Sequence, residues 1–185
     1  MVLVSMLRGV NMGPHHRMKM ADLKAAYEAV GCTDVETFIQ SGNVAFRTKE
    51  RSAEKMVARI EKAIEERFGF AAPVVVRTAA ELRSVVERNP FAGRKGIEPA
   101  RLAVHFLAGE PGTAVREKLA AIPPAAEEMV LDGRELYIYF PNGMARPELK
   151  LAQVDRALGG RMTARNWNTV EKLLEMAERI EAIRA

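Results

Sequence analysis

Seven polar residues at three places in the chain have side chains suited to holding a ligand: Arg8 and Asn11, then Gln40, Ser41 and Asn43, then Arg165 and Asn166. Arg8 and Asn11 follow a short apolar run and sit in a glycine-containing stretch ahead of a helix. In that setting backbone N–H groups and a guanidinium can hold an anion. The same residues also have a local use, in which Arg8 pairs with a carboxylate and Asn11 caps a turn. Gln40-Ser41-Gly42-Asn43 has the composition of a tight hairpin, yet a Gln at a strand end beside Arg8 would read a ligand amide or a base edge. In Arg165-Asn166-Trp167-Asn168-Thr169, Asn168 and Glu171 have the spacing of a helix capping box, and the single Trp can act as its staple. The alternative is a pocket in which Trp167 and its flanking amides lie beside Tyr139 and Asn142. Amides and arginines without a base or nucleophile suit binding better than catalysis, so no catalytic residue is assigned.

Other chemistries lack their signatures. No Gly-Lys-Ser or Gly-Lys-Thr follows the first loop and no G-x-G-x-x-G occurs, so no cofactor is expected. Ser41 lacks the G-x-S-x-G surroundings of an esterase nucleophile. His15 and His16 are adjacent and point apart, His105 sits among apolar strand residues, and no metal-ligand spacing exists. Cys32 has no partner motif and reads as inert. Glu127 and Glu128 precede a strand and read as a solvated edge.

The elements that must position these residues follow from periodicity. Residues 2–7 form a non-helical apolar run, hence a buried strand. Leu23, Ala26, Tyr27 and Val30 recur at helical spacing before Gly31. Strand-like runs at 35–40 and 44–47 flank a hairpin turn. A helix over 51–68, with Ala53, Met56, Val57, Ile60, Ile64 and Phe68 on one face, leads through Gly69 to a strand at 73–77. Thr78 and Glu81 form a capping box for a linking helix that ends at Asn89-Pro90. The second half repeats the order, with strands at 101–107, 128–131, 135–140 and 162–165, Asp132-Gly133 as a hairpin turn, and helices over 113–121 and from Pro147 to Leu158. A helix over 169–183 follows.

The expected fold is therefore α+β: two tandem βαββαβ ferredoxin-like repeats packed into one compact body, with a linking helix and a C-terminal helix. The boundaries expected are a first repeat at 1–77, a linking helix and loop at 78–100, a second repeat at 101–166 and a terminal helix at 167–185. Repeats of this size bury only about 60–65% of their unfolded surface alone, which favours packing together. Strands apolar on both faces, such as Val2, Val4 and Met6 against Leu3 and Leu7, demand cover on both sides. The topology gathers residues 8–17 and 40–43 at one end of the first repeat. At the opposite end of the second it gathers 141–147, 165–168 and 89–96.

Four segments, residues 7–13, 38–44, 141–143 and 165–170, together resemble the bacterial domain-of-unknown-function family numbered 1697. The resemblance runs over nearly the whole chain. It implies a cytoplasmic α+β protein with tandem ferredoxin-like repeats, no established activity and no catalytic residue. Two departures stand out. Pro14-His15-His16 replaces a second glycine in the first loop and stiffens it. Pro147-Glu148 replaces a Ser-Lys pair, putting an anion where a cation is usual.

Composition narrows the partners. With 185 residues, 48% hydrophobic and 28% charged, the chain is large enough to bury about 70% of its unfolded surface. A single cysteine fits a reducing cytoplasm, and no apolar run approaches the ~20 residues of a membrane span. Residues 1–77 carry 12 basic and 9 acidic side chains and residues 78–185 carry 16 and 15, so neither half is a polybasic arm. The function expected is binding of a small, anionic or nucleotide-like ligand at the loops after the first strand. Nucleic-acid binding and a non-catalytic interaction role are the alternatives. A nucleic-acid module would need exposed sheet aromatics, and only Tyr137 and Tyr139 share a face in the second half. The oligomeric state stays open.

Overall fold

In the computed structural model, which describes residues 1–183, the apolar run at the start is a strand, β1 (Val2–Leu7), buried along its whole length. It is followed by α1 (Met20–Ala29), β2 (Thr33–Phe38), β3 (Asn43–Arg47), α2 (Ala53–Phe68), β4 (Val74–Thr78) and α3 (Ala79–Glu87). After a 3₁₀ turn at Pro99–Arg101 come β5 (Leu102–Leu107), α4 (Thr113–Ala120), β6 (Glu128–Asp132), β7 (Glu135–Tyr139), α5 (Leu151–Leu158), β8 (Met162–Asn166) and α6 (Trp167–Ala182). The fold is mixed α+β, with two four-stranded antiparallel sheets and six helices among the described residues. Strand order is β2-β3-β1-β4 in the first sheet and β6-β7-β5-β8 in the second. The chain divides into two units, Met1–Ser84 with the segment from Glu171 onward, and Val85–Val170.

In the first unit, α2 shows how local sequence sets an element. Ser52 accepts a hydrogen bond from the Lys55 amide at 3.2 Å, and Gly69 closes the helix at φ +76°. Met56, Ile60 and Ile64 recur every four residues and are buried against Leu3, Leu7 and Phe46. Ser5, on the same strand face as Leu3 and Leu7, meets the Tyr27 hydroxyl at 2.7 Å. The other sheet face carries Glu36, Ala45 and Arg47, which lie opposite to Val44 and Phe46. Onto this face comes the later part of α6. The Arg47 guanidinium donates to the Ile180 carbonyl, and Arg179 pairs with Glu36. Arg83 of α3 pairs with Glu178 at 2.9 Å, and the Thr78–Glu81 capping box closes reciprocally at 2.8 and 3.1 Å. The two-sided apolar pattern of β1 thus has helices on both sides.

In the second unit, α4 and α5 pack on the face bearing Ala103, Leu107 and Ile138, with Leu119, Val154 and Leu158 in that core. The opposite face holds Tyr137 and Tyr139, both buried. Their hydroxyls donate to the Val85 and Gly96 carbonyls at 3.0 and 3.1 Å, so residues 85–96 cover this side.

Three local expectations change. The helix expected from Pro147 begins only at Leu151. The cause is Glu127, expected at a solvated edge: it is 8% exposed and its two carboxylate oxygens accept the Glu148 and Leu149 amides at 3.0 and 2.9 Å. That fixes residues 148–149 ahead of the helix. Only Glu128 keeps an exposed setting, paired with Arg94 at 2.9 Å. Finally, α6 starts at Trp167, so Asn168 is not its cap; the Asn166 side-chain oxygen accepts the Asn168 amide at 2.9 Å instead.

Candidate functional site

At one end of the first sheet, strand register brings the candidate residues together. Met6 faces Asn43 and Leu7 faces Val74 across β1. The Leu7 amide donates to the Gly42 carbonyl and the Arg8 amide to Pro73, both at 2.9 Å. The loop after β1, the β2–β3 hairpin and the turn before β4 therefore meet at one edge.

Asn11 organises this edge. Its backbone sits at φ +55°, a conformation asparagine tolerates. Its Nδ2 donates to the Met18 carbonyl at 2.9 Å and the Gln40 carbonyl at 2.8 Å, while its Oδ1 accepts the Met18 amide at 2.8 Å. One side chain closes the loop on itself and ties it to the hairpin, so the turn-capping use of Asn11 holds. Asn43 is likewise structural: it is buried, and its Nδ2 donates to the Phe38 carbonyl at 3.1 Å and to Ser41 Oγ at 2.8 Å. Gly42 is required by contact, because a Cβ there would lie 2.8 Å from both Leu7 Cβ and Val10 Cγ2. Arg8 is half-buried and the Gln40 side chain is exposed.

The loops of this edge carry positive charge, and from α2 the Glu61 carboxylate reaches it by accepting the Val74 amide at 3.0 Å. Residues 8–19, 39–42 and 69–73 include Arg8, Arg17, Lys19, His15 and His16, and no Asp or Glu. Neither Arg17 nor Lys19 forms an ion pair with a described residue. The His16 ring stacks on Phe70 with centroids 4.5 Å apart. Met12 is 76% exposed and Ile39 52%, two large apolar side chains turned to solvent beside the cations. Ile39 holds φ +49°, a conformation costly for a β-branched residue by about 1–3 kcal/mol.

Arg165 and Asn166 belong to the second unit. Asn166 caps α6 and donates to the Ala100 carbonyl at 2.9 Å. Arg165 is buried and donates to Thr163 Oγ1 and the Ala164 carbonyl, both at 2.7 Å. Burial pushes its guanidinium down to about 10, so it remains charged at neutral pH. At this end of the second sheet Leu102 faces Tyr139 and Ala103 faces Asn166, so the chain leaves β7 and β8 at one edge, and the Tyr139 hydroxyl donates to the Gly96 carbonyl at 3.1 Å. His105 is buried, and no group of three or more His, Cys, Asp or Glu among the described residues is placed to hold a metal. Burial pushes the Cys32 thiol up to about 11, away from reactivity. No helix among the described residues is long and apolar enough to cross a membrane.

One feature escaped sequence reading: a cleft of about 330 Å³ between α4 and α5, lined by Lys118, Ile122, Gln153 and Arg156 among others. Each cation sits on an amphipathic helix, and only the packing of those helices puts them at one opening.

No curated protein matches the chain. Among solved structures it is similar to a conserved bacterial protein, SP0830 from Streptococcus pneumoniae, with a TM-score of 0.73 at 20% identity, over 95% of this chain and 98% of that one. At that identity the likeness speaks for the fold alone. The model of a family described as a protein of unknown function, DUF1697, matches residues 1–137, which contain two of the four resembling segments, 7–13 and 38–44. With most of its length matched, the chain belongs to the DUF1697 family.

Proposed function

We propose that the protein binds a small anionic ligand of nucleotide-like character at the loop edge of its first sheet. One observation carries this reading: Arg17 and Lys19, neither in an ion pair with a described residue, share the loop with Arg8, His15 and His16 and stand beside exposed Met12 and Ile39. A phosphate suits Arg8, Arg17 and the loop amides, and a flat apolar base suits Met12 and Ile39. Asn11 and Asn43 serve as the frame, and Gln40 is the amide at the rim. Arg165 and Asn166 are left out of this site, since Asn166 is occupied with a cap. No group here is arranged as a nucleophile with its base, which favours binding over turnover.

The finer fold reading supports such a module. Each sheet runs fourth-first-third-second in its own strand numbering, the order of a ferredoxin-like unit, and the four strands and first two helices of each half follow the βαββαβ sequence. We read the chain as two such repeats, at 1–77 and 101–166, in a bacterial cytoplasmic protein.

The test is thermal unfolding with adenosine mono-, di- and triphosphate and with inorganic phosphate. A ligand at about ten times its Kd adds about 1.4 kcal/mol, or roughly 3–6 °C for a chain of this size. The expected result is such a rise with a nucleotide, lost in Arg17→Ala. No rise with any of the four probes, or a rise that Arg8→Ala and Arg17→Ala both leave intact, overturns the reading.

A further inference from the structure

We propose a second binding site in the Val85–Val170 unit, a cleft that takes an amphipathic monocarboxylate of alkyl type, independent of the loop edge above. The cleft of about 330 Å³ lies where the end of α4 and residues 121–123 face α5. Its floor is apolar, from Ala121, Ile122, Pro123 and Ala157, and its polar lining is Lys118, Gln153 and Arg156. No carboxylate lines it. Lys118 and Arg156 form no ion pair with any described residue, whereas Arg88, Arg94 and Arg101 of this unit do pair with carboxylates. Glu117 and Asp155 neighbour them in sequence but lie about 100° away around their helices and do not line the cleft. Two cations over an apolar floor are complementary to an anionic head on an apolar body.

The direction of the ligand follows from what adjoins. A second cleft of about 280 Å³ shares Ile122, Pro123 and Gln153 with the first and continues past Pro124, Ala125 and Leu149. Its far side carries one charge of each sign, Glu148 and Lys150. A carboxylate head is therefore drawn to the Lys118–Arg156 end, where two cations stand with no carboxylate in the lining. The apolar tail runs over Ile122 and Pro123 towards Leu149, which is itself 3% exposed and held by the Glu127 carboxylate. The combined clefts are of the size that small ligands occupy, and the mixed lining separates this ligand from a neutral lipid or a small inorganic anion.

The test is a titration of the ¹⁵N-labelled protein with sodium decanoate, followed by amide shifts, with 1-decanol and acetate as comparators. Decanoate is expected to shift amides at residues 118–125 and 149–157 in a saturable way. Decanol and acetate are expected to bind about tenfold more weakly or not at all, since each lacks one of the two recognised parts. The double variant Lys118→Glu/Arg156→Glu changes only exposed side chains and is expected to weaken decanoate about tenfold, while its spectrum elsewhere stays that of the wild type. Arg17→Ala is expected to leave decanoate binding unchanged. Decanoate shifts scattered outside the cleft, equal binding of decanol, or full binding by the double charge reversal would each overturn the proposal.

Discussion

Replacing Glu127 by Ala removes a carboxylate that holds residues 148–149 through two amide bonds of 3.0 and 2.9 Å, at a site only 8% exposed. Hydrogen bonds to a charged group contribute roughly 1.5–3 kcal/mol each, and the two share one acceptor group, so the summed loss is about 3 kcal/mol rather than the full double. Removal also leaves the Leu149 amide buried without its acceptor, which keeps the loss from shrinking further. For a chain of this length that corresponds to a fall in Tm of roughly 6–12 °C. Glu127→Gln keeps one acceptor oxygen but turns an NH₂ group towards the other amide, and about half the loss is expected. The assay is urea unfolding read by tryptophan fluorescence, because Trp167 is the only tryptophan and lies in the same unit as Glu127. The midpoint should move down with the slope unchanged. A shift worth less than about 0.5 kcal/mol for Glu127→Ala would refute the view that this carboxylate, and not Pro147, decides where α5 begins.

Two further outcomes are expected. Gly42→Ala combines a left-handed backbone with a Cβ 2.8 Å from Leu7 and Val10, so it should cost about 2–4 kcal/mol in urea unfolding, against about 1 kcal/mol of backbone strain alone for Gly93→Ala, where φ is +71° and a Cβ would meet nothing within 4 Å. Cys32 should react with a disulfide reagent at pH 8 far more slowly than in the urea-unfolded chain. Its thiol pKa is raised on folding, so the stability it contributes is complete below the unfolded value of about 8.5 and is lost as pH rises through about 11; stability increasing over that window would contradict its burial.

The strands and the long helix were legible because their signals are local. Gly69 and the spacing of Met56, Ile60 and Ile64 define α2, and the glycines of the two hairpins define their turns. The meeting of the loop after β1 with the β2–β3 hairpin, where Asn11 bonds the Gln40 carbonyl, followed from strand order alone. The errors came where a distant residue decides. Pro147 suits a first helical position, but Glu127, from the approach to β6, holds the next two amides. Asn166 is at once the last residue of β8 and the cap of α6, so the spacing of Asn168 and Glu171 pointed two residues too late. The α4–α5 cleft was invisible for the same reason: Lys118 and Arg156 are far apart in sequence and share no motif.

The placement of α6 has a consequence for how the chain is made. Its later part, from Glu171, belongs with a sheet whose last strand ends at Thr78. During synthesis that sheet leaves the ribosome long before the helix that lies against Glu36 and Arg47. Until then one of its faces has no α6 to cover it, and closing the unit requires contacts of high sequence separation, which slow folding. A stop within the last helix would therefore damage the beginning of the protein and leave most of its second unit whole.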